Sequence, residues 1–207
     1  MWLCFLVLLV PAIPAPSYGM CTAGSPPAAA APESSSGDSV LQPGEELTYN
    51  VSFGPFDIGQ VRITLANRQQ ANGQSFYPAT AHIDSYKGVP LVSLHAVYDD
   101  HIADGIYSAW FHSRKKDNDT WVTHEYTYDY PNHRVFIEEG VAGSSHPDHR
   151  DTLRLDTLYQ DGLSLFYLAR TQVLTGREMT IPTIVSEQKG TTSIRFSPER
   201  VSERIGA

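Results

Sequence analysis

The chain has 207 residues, of which 41% are hydrophobic and 18% are charged, and its formal net charge at pH 7 is -8. This composition supplies enough apolar material for one core and excludes an intrinsically disordered chain. The negative net charge repels phosphate backbones, and the basic run Arg114-Lys115-Lys116 is followed directly by an acidic residue, so the sequence predicts no nucleic-acid partner.

The first 24 residues are predicted to form a signal peptide. An apolar run over residues 2–10 is too short to span a bilayer and is followed by Pro11 and Pro14. Small residues place the expected cleavage after Gly19 or Gly24. The sequence therefore predicts an exported protein, in the periplasm or associated with the outer membrane, and no transmembrane span in the mature chain.

Cys21 raises the alternative of a lipid-anchored protein. Tyr18 and Met20 do not match the aliphatic and small residues that precede the cysteine of a lipoprotein signal, so export without lipidation is the favoured interpretation. Residues 25–40 are rich in Ala, Pro and Ser and are predicted to form a disordered linker. Because Cys4 and Cys21 are the only cysteines, residues 41–207 have no disulfide, zinc-thiolate cluster or catalytic thiol.

Residues 41–207 are predicted to form a single, mainly β domain. Apolar residues alternate over Glu46–Phe53, and alternation resumes after Gly54-Pro55 in a second strand with a bulge expected at Gly59. Further strand patterns follow at Phe76–Tyr86, Leu91–Tyr98, Gly105–Ser113, Trp121–Tyr130, Arg134–Glu138, Thr152–Leu155, Glu178–Val185 and Thr192–Phe196. Closely spaced strands with short connections predict an antiparallel meander curled into a barrel or half-barrel.

One segment, residues 161–176, has helical character. Asp161 can cap its start, Phe166 and Tyr167 contribute to an apolar face, and Gly176 supplies a stop. We therefore expect one helix packed on the curved sheet. The chain ends after the polar segment SPERVSER without the closing strand that the pattern requires, so the domain is expected to be incomplete at its C terminus, with an uncovered sheet edge.

Three segments together resemble a family of bacterial exported proteins. They are PGEELTYNVSFGPFDIGQVRITL, VYDDHIADGIYSAWFHSRKK and QDGLSLFYLAR, in that order, and the chain is similar from Leu41 to its end to the family catalogued as domain of unknown function 3108. The resemblance implies an envelope protein of mainly antiparallel β structure and brings no catalytic residues. The chain departs from the family pattern at Phe53, where Trp is usual, and by ending before the last strands.

Two polar clusters carry side chains that could bind a metal ion or transfer protons. The first, in SSHPDHRD, contains His146, Asp148, His149 and Asp151. These are zinc-type ligands, but a loop lacks the one-face geometry of a helical pair, so a polar loop is the favoured interpretation. The second, in YDDHIADG, contains Asp99, Asp100, His101 and Asp104. It could serve acid–base chemistry or share a cation, and the favoured interpretation is a turn whose Asp side chains bond their own backbone.

Aromatic residues on consecutive predicted strands are the main functional signal. The predicted ligand-binding set is Tyr107, Trp110, Trp121, Tyr126, Tyr128 and Tyr130. Alternation along residues 126–130 directs three tyrosines to one face. On the concave side of an open sheet this face would bind a lipid chain or a glycan, whereas under the helix it would be core, the commoner role of aromatic residues in strands.

Three functions remain open on the sequence alone. The first is a non-enzymatic binding or carrier module of the bacterial envelope for an apolar or amphipathic ligand, either a lipid or a glycan. The second is an assembly module that pairs an exposed strand edge with an envelope protein. The third and least favoured is a metal-dependent enzyme built on the loop from His146 to His149. The chain has neither a serine nucleophile elbow nor a phosphate-binding loop, so the expectation is a protein that is not an enzyme, with no cofactor and no metal.

Overall fold

The computed structural model describes residues 40–71, 73–89 and 93–199. The predicted signal peptide, nearly all of the predicted linker and the C-terminal residues 200–207 lie outside the described residues. Within the described ranges, no helix has the length and apolar character needed to cross a lipid bilayer.

The domain is mainly β and antiparallel, as predicted. The strands are β1 Glu46–Phe53, β2 Phe56–Leu65, β3 Gln69–Ala71, β4 Gln74–Ser85, β5 His95–Ala103, β6 Ser108–Asp117, β7 Thr120–Asp129, β8 Arg134–Val141, β9 His149–Arg154, β10 Glu178–Val185 and β11 Gln188–Arg195. A short 3-10 helix, Tyr130–Asn132, follows β7, and the α-helix α1 spans Gly162–Arg170. Nine strands form one sheet, in which β1, β2 and β4 to β9 pair in sequence order and β3 pairs with β4, and β10–β11 forms a separate two-stranded sheet.

The antiparallel meander is therefore confirmed. β1 and β9 end the order of paired strands, and no closed barrel is found among the described residues. The strand bounds match the predicted ones for β1 and β10, while α1 ends at Arg170 and is followed by turns rather than continuing to Gly176.

The interpretation of YDDHIADG as a turn is wrong for its first three polar residues. Asp99, Asp100 and His101 lie inside β5, which runs on to Ala103 and pairs on both sides, with β4 and with β6. The polar side chains are tolerated in a central strand because the neighbouring strands supply partners, as when Thr80 Oγ1 donates to Asp99 Oδ1 at 2.8 Å.

The β1–β2 hairpin contains the expected bulge. Val51 pairs with Gly59, but the next residue, Ser52, pairs with Asp57. Ile58 is therefore the extra residue of the bulge, one position before the predicted Gly59. Gly59 also lies close to β4, where a Cβ atom on it would be 2.6 Å from the backbone oxygen of Asp84. The absence of a side chain at this position therefore allows β2 and β4 to pair.

We expect Gly59→Ala to lower the free energy of unfolding by about 1–2 kcal/mol, because the added methyl group overlaps a backbone atom that has to move. Urea denaturation followed by tryptophan fluorescence measures the change. Gly190→Ala is the matched control, since Gly190 is also a strand glycine and a Cβ there would meet nothing within 4 Å. An equal loss of stability in both variants would contradict the close approach at Gly59.

The two faces of the nine-stranded sheet have different roles. The inner face packs on α1 and on the β10–β11 hairpin, and its residues include Ile63, Ala81, Tyr98, Phe111, Tyr126 and Ile137. The outer face carries the alternate residues, among them Arg62, His82, Asp99, His112, Glu125 and Glu138. Two core clusters lie against the inner face, one including Tyr167 of α1 and the other Ile184 of β10, and the side chain of Tyr98 packs against both.

Candidate functional site

A strip of stacked rings crosses the outer face of β4, β5 and β6. The ring centroid of His101 lies 4.1 Å from that of Phe76 and 4.7 Å from that of Trp110, and Trp110 lies 5.7 Å from His112. Phe76 is buried and the other three residues are half-buried. These four residues are the ring strip, and strand alternation directs them away from α1.

The ring strip adjoins a cleft of about 230 Å³ between β6, β7, β8 and the loop of residues 142–148. His112 belongs to both the strip and the cleft, and the other lining residues include Glu125, Glu138 and His146. The indole Nε1 of Trp110 donates to Glu125 Oε1 at 2.7 Å, which joins the strip to the cleft. The site thus places ring faces beside carboxylate and imidazole groups.

The two histidines of the strip lie in a partly desolvated environment. Burial lowers the pKa of His101, against the opposing effect of Asp99. Burial also lowers the pKa of His112, against the opposing effect of Glu125. The lowered pKa favours the neutral imidazole near pH 7, in which one ring nitrogen donates a hydrogen bond and the other accepts one.

The structure separates four of the six predicted aromatic residues between the two faces. Trp110 and Trp121 lie on the outer face and are half-buried. Tyr126 and Tyr128 lie on the inner face with 4% and 6% of their surface exposed, where they pack with Ile137 in the second core cluster. The two tyrosines are therefore core residues, and only the two tryptophans are available to a ligand on the outer face.

The other two aromatic residues of the set help to join β6 to the segment before α1. Tyr107 and Tyr130 meet edge to face with their centroids 5.2 Å apart, and the hydroxyl of Tyr130 donates to the backbone oxygen of Ser108 at 2.9 Å. The same hydroxyl accepts from the backbone nitrogen of Tyr159 at 3.4 Å. The six aromatic residues consequently do not converge on one site.

The structure does not bring the histidines of SSHPDHRD together. His146 lines the cleft, and its Nδ1 lies 2.9 Å from Ser145 Oγ. His149 is the first residue of β9 and pairs with Glu139 of β8, which by alternation belongs to the inner face. A metal site that uses this histidine pair is therefore not formed.

A buried polar cluster under the start of α1 was not predicted. Ser108 Oγ lies 3.1 Å from Asp100 Oδ1 and 2.6 Å from Asp161 Oδ2, and all three residues are no more than 2% exposed. Asp161 Oδ1 also accepts from the backbone nitrogens of Leu163 and Ser164 at 2.8 and 3.1 Å, as the predicted helix cap. The cluster fastens the helix N terminus to β5 and β6.

The pKa values of the two carboxyl groups of the cluster are raised to different extents. Burial raises the pKa of Asp100 well above its usual range, and the neighbouring charge of Asp161 raises it further. Burial also raises the pKa of Asp161, but hydrogen bonds from Ser108 and from the helix N terminus oppose that effect. The pKa of Asp100 is thus raised further than that of Asp161, and we expect a proton held by this enclosed pair to lie on Asp100.

A second polar contact joins α1 to the start of the domain. The guanidinium of Arg170 donates from Nη1 and Nη2 to the two carboxylate oxygens of Glu45, each at 2.6 Å. Glu45 lies in the first of the three segments on which the family resemblance rests, and Asp100 lies in the second. Both contact the third segment, which contains Asp161 and Arg170, so the three segments are connected in the structure. Those segments are thus brought together by interactions that hold the fold.

Comparison of the chain with protein-family models, with curated proteins and with solved structures gives no match. The resemblance to the family of domain of unknown function 3108 stays a prediction.

Proposed function

We propose that the protein is an exported, non-enzymatic binding module of the bacterial envelope, and that the ring strip and the adjoining cleft bind a glycan. The observation that carries the proposal is the position of Trp110, whose ring packs against that of His101 and whose indole nitrogen donates to Glu125 on the sheet face opposite α1. Flat ring faces stack on the apolar faces of sugars, while carboxylates accept hydrogen bonds from sugar hydroxyls.

A glycan fits this site better than a lipid chain does. An acyl chain needs an apolar cavity, and the apolar residues of the inner face are already packed against α1 and the β10–β11 hairpin. The cleft is lined mainly by polar groups, including Glu125, Glu138 and His146. The ligand that we propose is therefore rich in hydroxyl groups.

The proposal includes the expected curl of the sheet into a barrel or half-barrel. Contacts of α1 with both β4 and β5, and the packing of β10 against residues of β6 to β8, support a sheet that wraps around these elements. With that curvature the ring strip lies on the convex side, rather than on the concave side expected from the sequence.

The test is the affinity of the Trp110→Ala variant for a glycan. A panel of soluble glycans that includes peptidoglycan fragments identifies the strongest ligand, and isothermal titration calorimetry measures its dissociation constant. We expect the substitution to weaken binding at least about 10-fold, because it removes a stacking surface and the donor to Glu125. Phe56→Ala is the control, since Phe56 is a 70% exposed aromatic residue at the distant β1–β2 turn.

Two outcomes would contradict the proposal. One is the absence of glycan binding by the unmodified protein together with binding of an envelope lipid. The other is hydrolysis of the glycan during incubation, checked by chromatography, because Glu125 and Glu138 are cross-strand neighbours and a pair of carboxylates can cleave glycosidic bonds. Recovery of the intact glycan is expected.

A second candidate function is the binding of an envelope protein along β1. β1 is an edge strand, and the turn that follows it exposes Phe53 and Phe56 at 74% and 70% of their surface. Exposed edges and apolar turns are common docking features. Under this alternative, Phe56→Ala abolishes capture of a stoichiometric partner from envelope extract and Trp110→Ala does not.

A further inference from the structure

Three metal-ligand side chains from three separate elements converge on the inner-face side of the sheet. They are His124 of β7, Glu139 of β8 and Glu187 in the turn between β10 and β11, and their side chains are 30%, 39% and 27% exposed. One ligand atom from each lies within 4.8 Å of the other two. Among the described residues, no other group of three or more His, Cys, Asp or Glu side chains places its ligand atoms this close together.

The contacts within this group are longer than hydrogen bonds. His124 Nε2 lies 3.5 Å from Glu187 Oε1 and 3.8 Å from Glu139 Oε1. A charged hydrogen bond between these atoms would be about 2.7–2.9 Å long. Two ligand atoms that each lie about 2.1 Å from a tetrahedral zinc ion are about 3.4 Å apart. The observed distances therefore suit ligands around an ion better than a direct hydrogen bond.

The charges of the group also favour a cation. Within the described ranges, the ion pairs that Glu139 and Glu187 form are with His124 alone, so two carboxylates share one imidazole. Even a protonated His124 would leave a net negative charge in a half-buried site, where like charges repel. The backbone nitrogen of Glu187 donates to the hydroxyl of Tyr126 at 3.1 Å, which holds the turn over this position.

His149 lies next to the same group. It pairs directly with Glu139 across β8 and β9, and Glu139 pairs with His124 across β7 and β8. Directly paired residues have their Cβ atoms about 4.5–5.5 Å apart on the same face. A second imidazole thus borders the three-residue group, although the ligand atoms that lie within 4.8 Å of one another belong to His124, Glu139 and Glu187.

We propose that His124, Glu139 and Glu187 bind a divalent transition-metal ion, with zinc as the best match. Imidazole nitrogen combined with carboxylate oxygen suits zinc, whereas magnesium and calcium prefer ligand sets of oxygen alone. Because Glu187 lies at the tip of the β10–β11 hairpin, the ion fastens that hairpin to the nine-stranded sheet. The proposal does not rest on the proposed glycan function, and Glu139 is the one ligand that also borders the cleft.

The experiment is calorimetric titration of the metal-free full chain with zinc chloride, paired with thermal denaturation. We expect one zinc ion per chain and a rise in Tm of about 5–10 °C when zinc is about 100-fold above its Kd. His124→Ala and Glu187→Gln are each expected to reduce zinc affinity at least about 10-fold. His146→Ala is the control, because His146 lies in the cleft loop, and it should bind zinc as the unmodified chain does.

Thermal denaturation in EDTA shows whether each variant is folded without metal. Glu187→Gln is the more conservative of the two variants, since it alters one oxygen in a turn. No zinc binding by the unmodified chain would overturn the proposal. Unchanged affinity in the folded His124→Ala variant, or loss of binding in His146→Ala, would overturn it as well. Glycan titrations of the same variants keep this result separate from that of the proposed function.

Discussion

Asp161→Asn is expected to lower the free energy of unfolding by about 3 kcal/mol, whereas Asp100→Asn is expected to leave it unchanged or to raise it at neutral pH. Asp161 accepts from Ser108 and from two backbone nitrogens at the start of α1. An amide at position 161 can keep its oxygen toward the two backbone nitrogens, which both donate to Oδ1, but it replaces Oδ2, the acceptor from Ser108, with a donor. It also removes the negative charge that strengthens these hydrogen bonds. At position 100 an amide instead reproduces the neutral, proton-donating form of the carboxyl group.

Urea denaturation of the two variants and the unmodified chain at pH 7 measures these changes. The comparison is well matched, since both positions lose one ionisable carboxyl group and both are fully buried. Equal destabilisation by the two substitutions would show that the proton is not held by Asp100.

The same pair predicts how stability depends on pH. The folded state keeps a proton on Asp100 because its pKa is raised, whereas an unfolded chain releases that proton above about pH 4. This contribution to stability is complete below the unfolded pKa and is lost as the pH rises toward the folded pKa. Asp100→Asn should therefore be most stabilising, relative to the unmodified chain, at the high end of a series from pH 4 to pH 9. Parallel pH profiles would contradict the assignment.

Arg170→Ala is expected to lower the free energy of unfolding by about 2–3 kcal/mol. The substitution removes two hydrogen bonds to Glu45, whose side chain is only 14% exposed, and it leaves that carboxylate without its cation. The guanidinium also lies 5.3 Å from the ring centroid of Tyr167 and 5.6 Å from that of Phe166, so packing is lost as well.

Two further variants separate charge from geometry in this contact. Arg170→Lys keeps the positive charge but not the planar fork, and we expect it to recover part of the lost stability. Arg195→Ala is the control, because Arg195 pairs with Glu178 at the surface, with its side chain 80% exposed, and such pairs contribute little. Chemical denaturation should show the largest loss in the free energy of unfolding for Arg170→Ala, a smaller loss for Arg170→Lys and the smallest for Arg195→Ala. A loss in Arg170→Ala as small as that in Arg195→Ala would contradict the prediction.

The sequence was sufficient to predict much of the fold. The bounds of β1 and β10 agree with prediction because alternation with period two marks half-buried strands directly. Asp161 marked the start of α1 because its side chain caps the first turn. β5 was harder to recognise, since Asp99 and Asp100 resemble turn residues until Thr80 and Ser108 on the neighbouring strands are known to be their partners.

The candidate sites depend on information that strand patterns do not contain. The pattern directs Tyr126 and Tyr128 to one face of β7, but the side on which α1 packs decides that this face is core. Trp110 was predicted as a ligand residue, while its ring contact with His101 could be recognised only from the register of β5 and β6. The convergence of β7, β8 and the β10–β11 turn likewise follows only from tertiary packing.

The meander topology has a consequence for folding kinetics. Each strand of the large sheet pairs with a strand next to it, or next but one, along the chain, so the sheet can assemble by successive hairpins that close only short loops. The contact between Glu45 and Arg170 spans 125 residues and forms only after α1 has returned to the first strands. We expect a contact that forms this late to be absent from the folding transition state. It therefore slows unfolding far more than it speeds folding, and contributes mainly to the lifetime of the native protein.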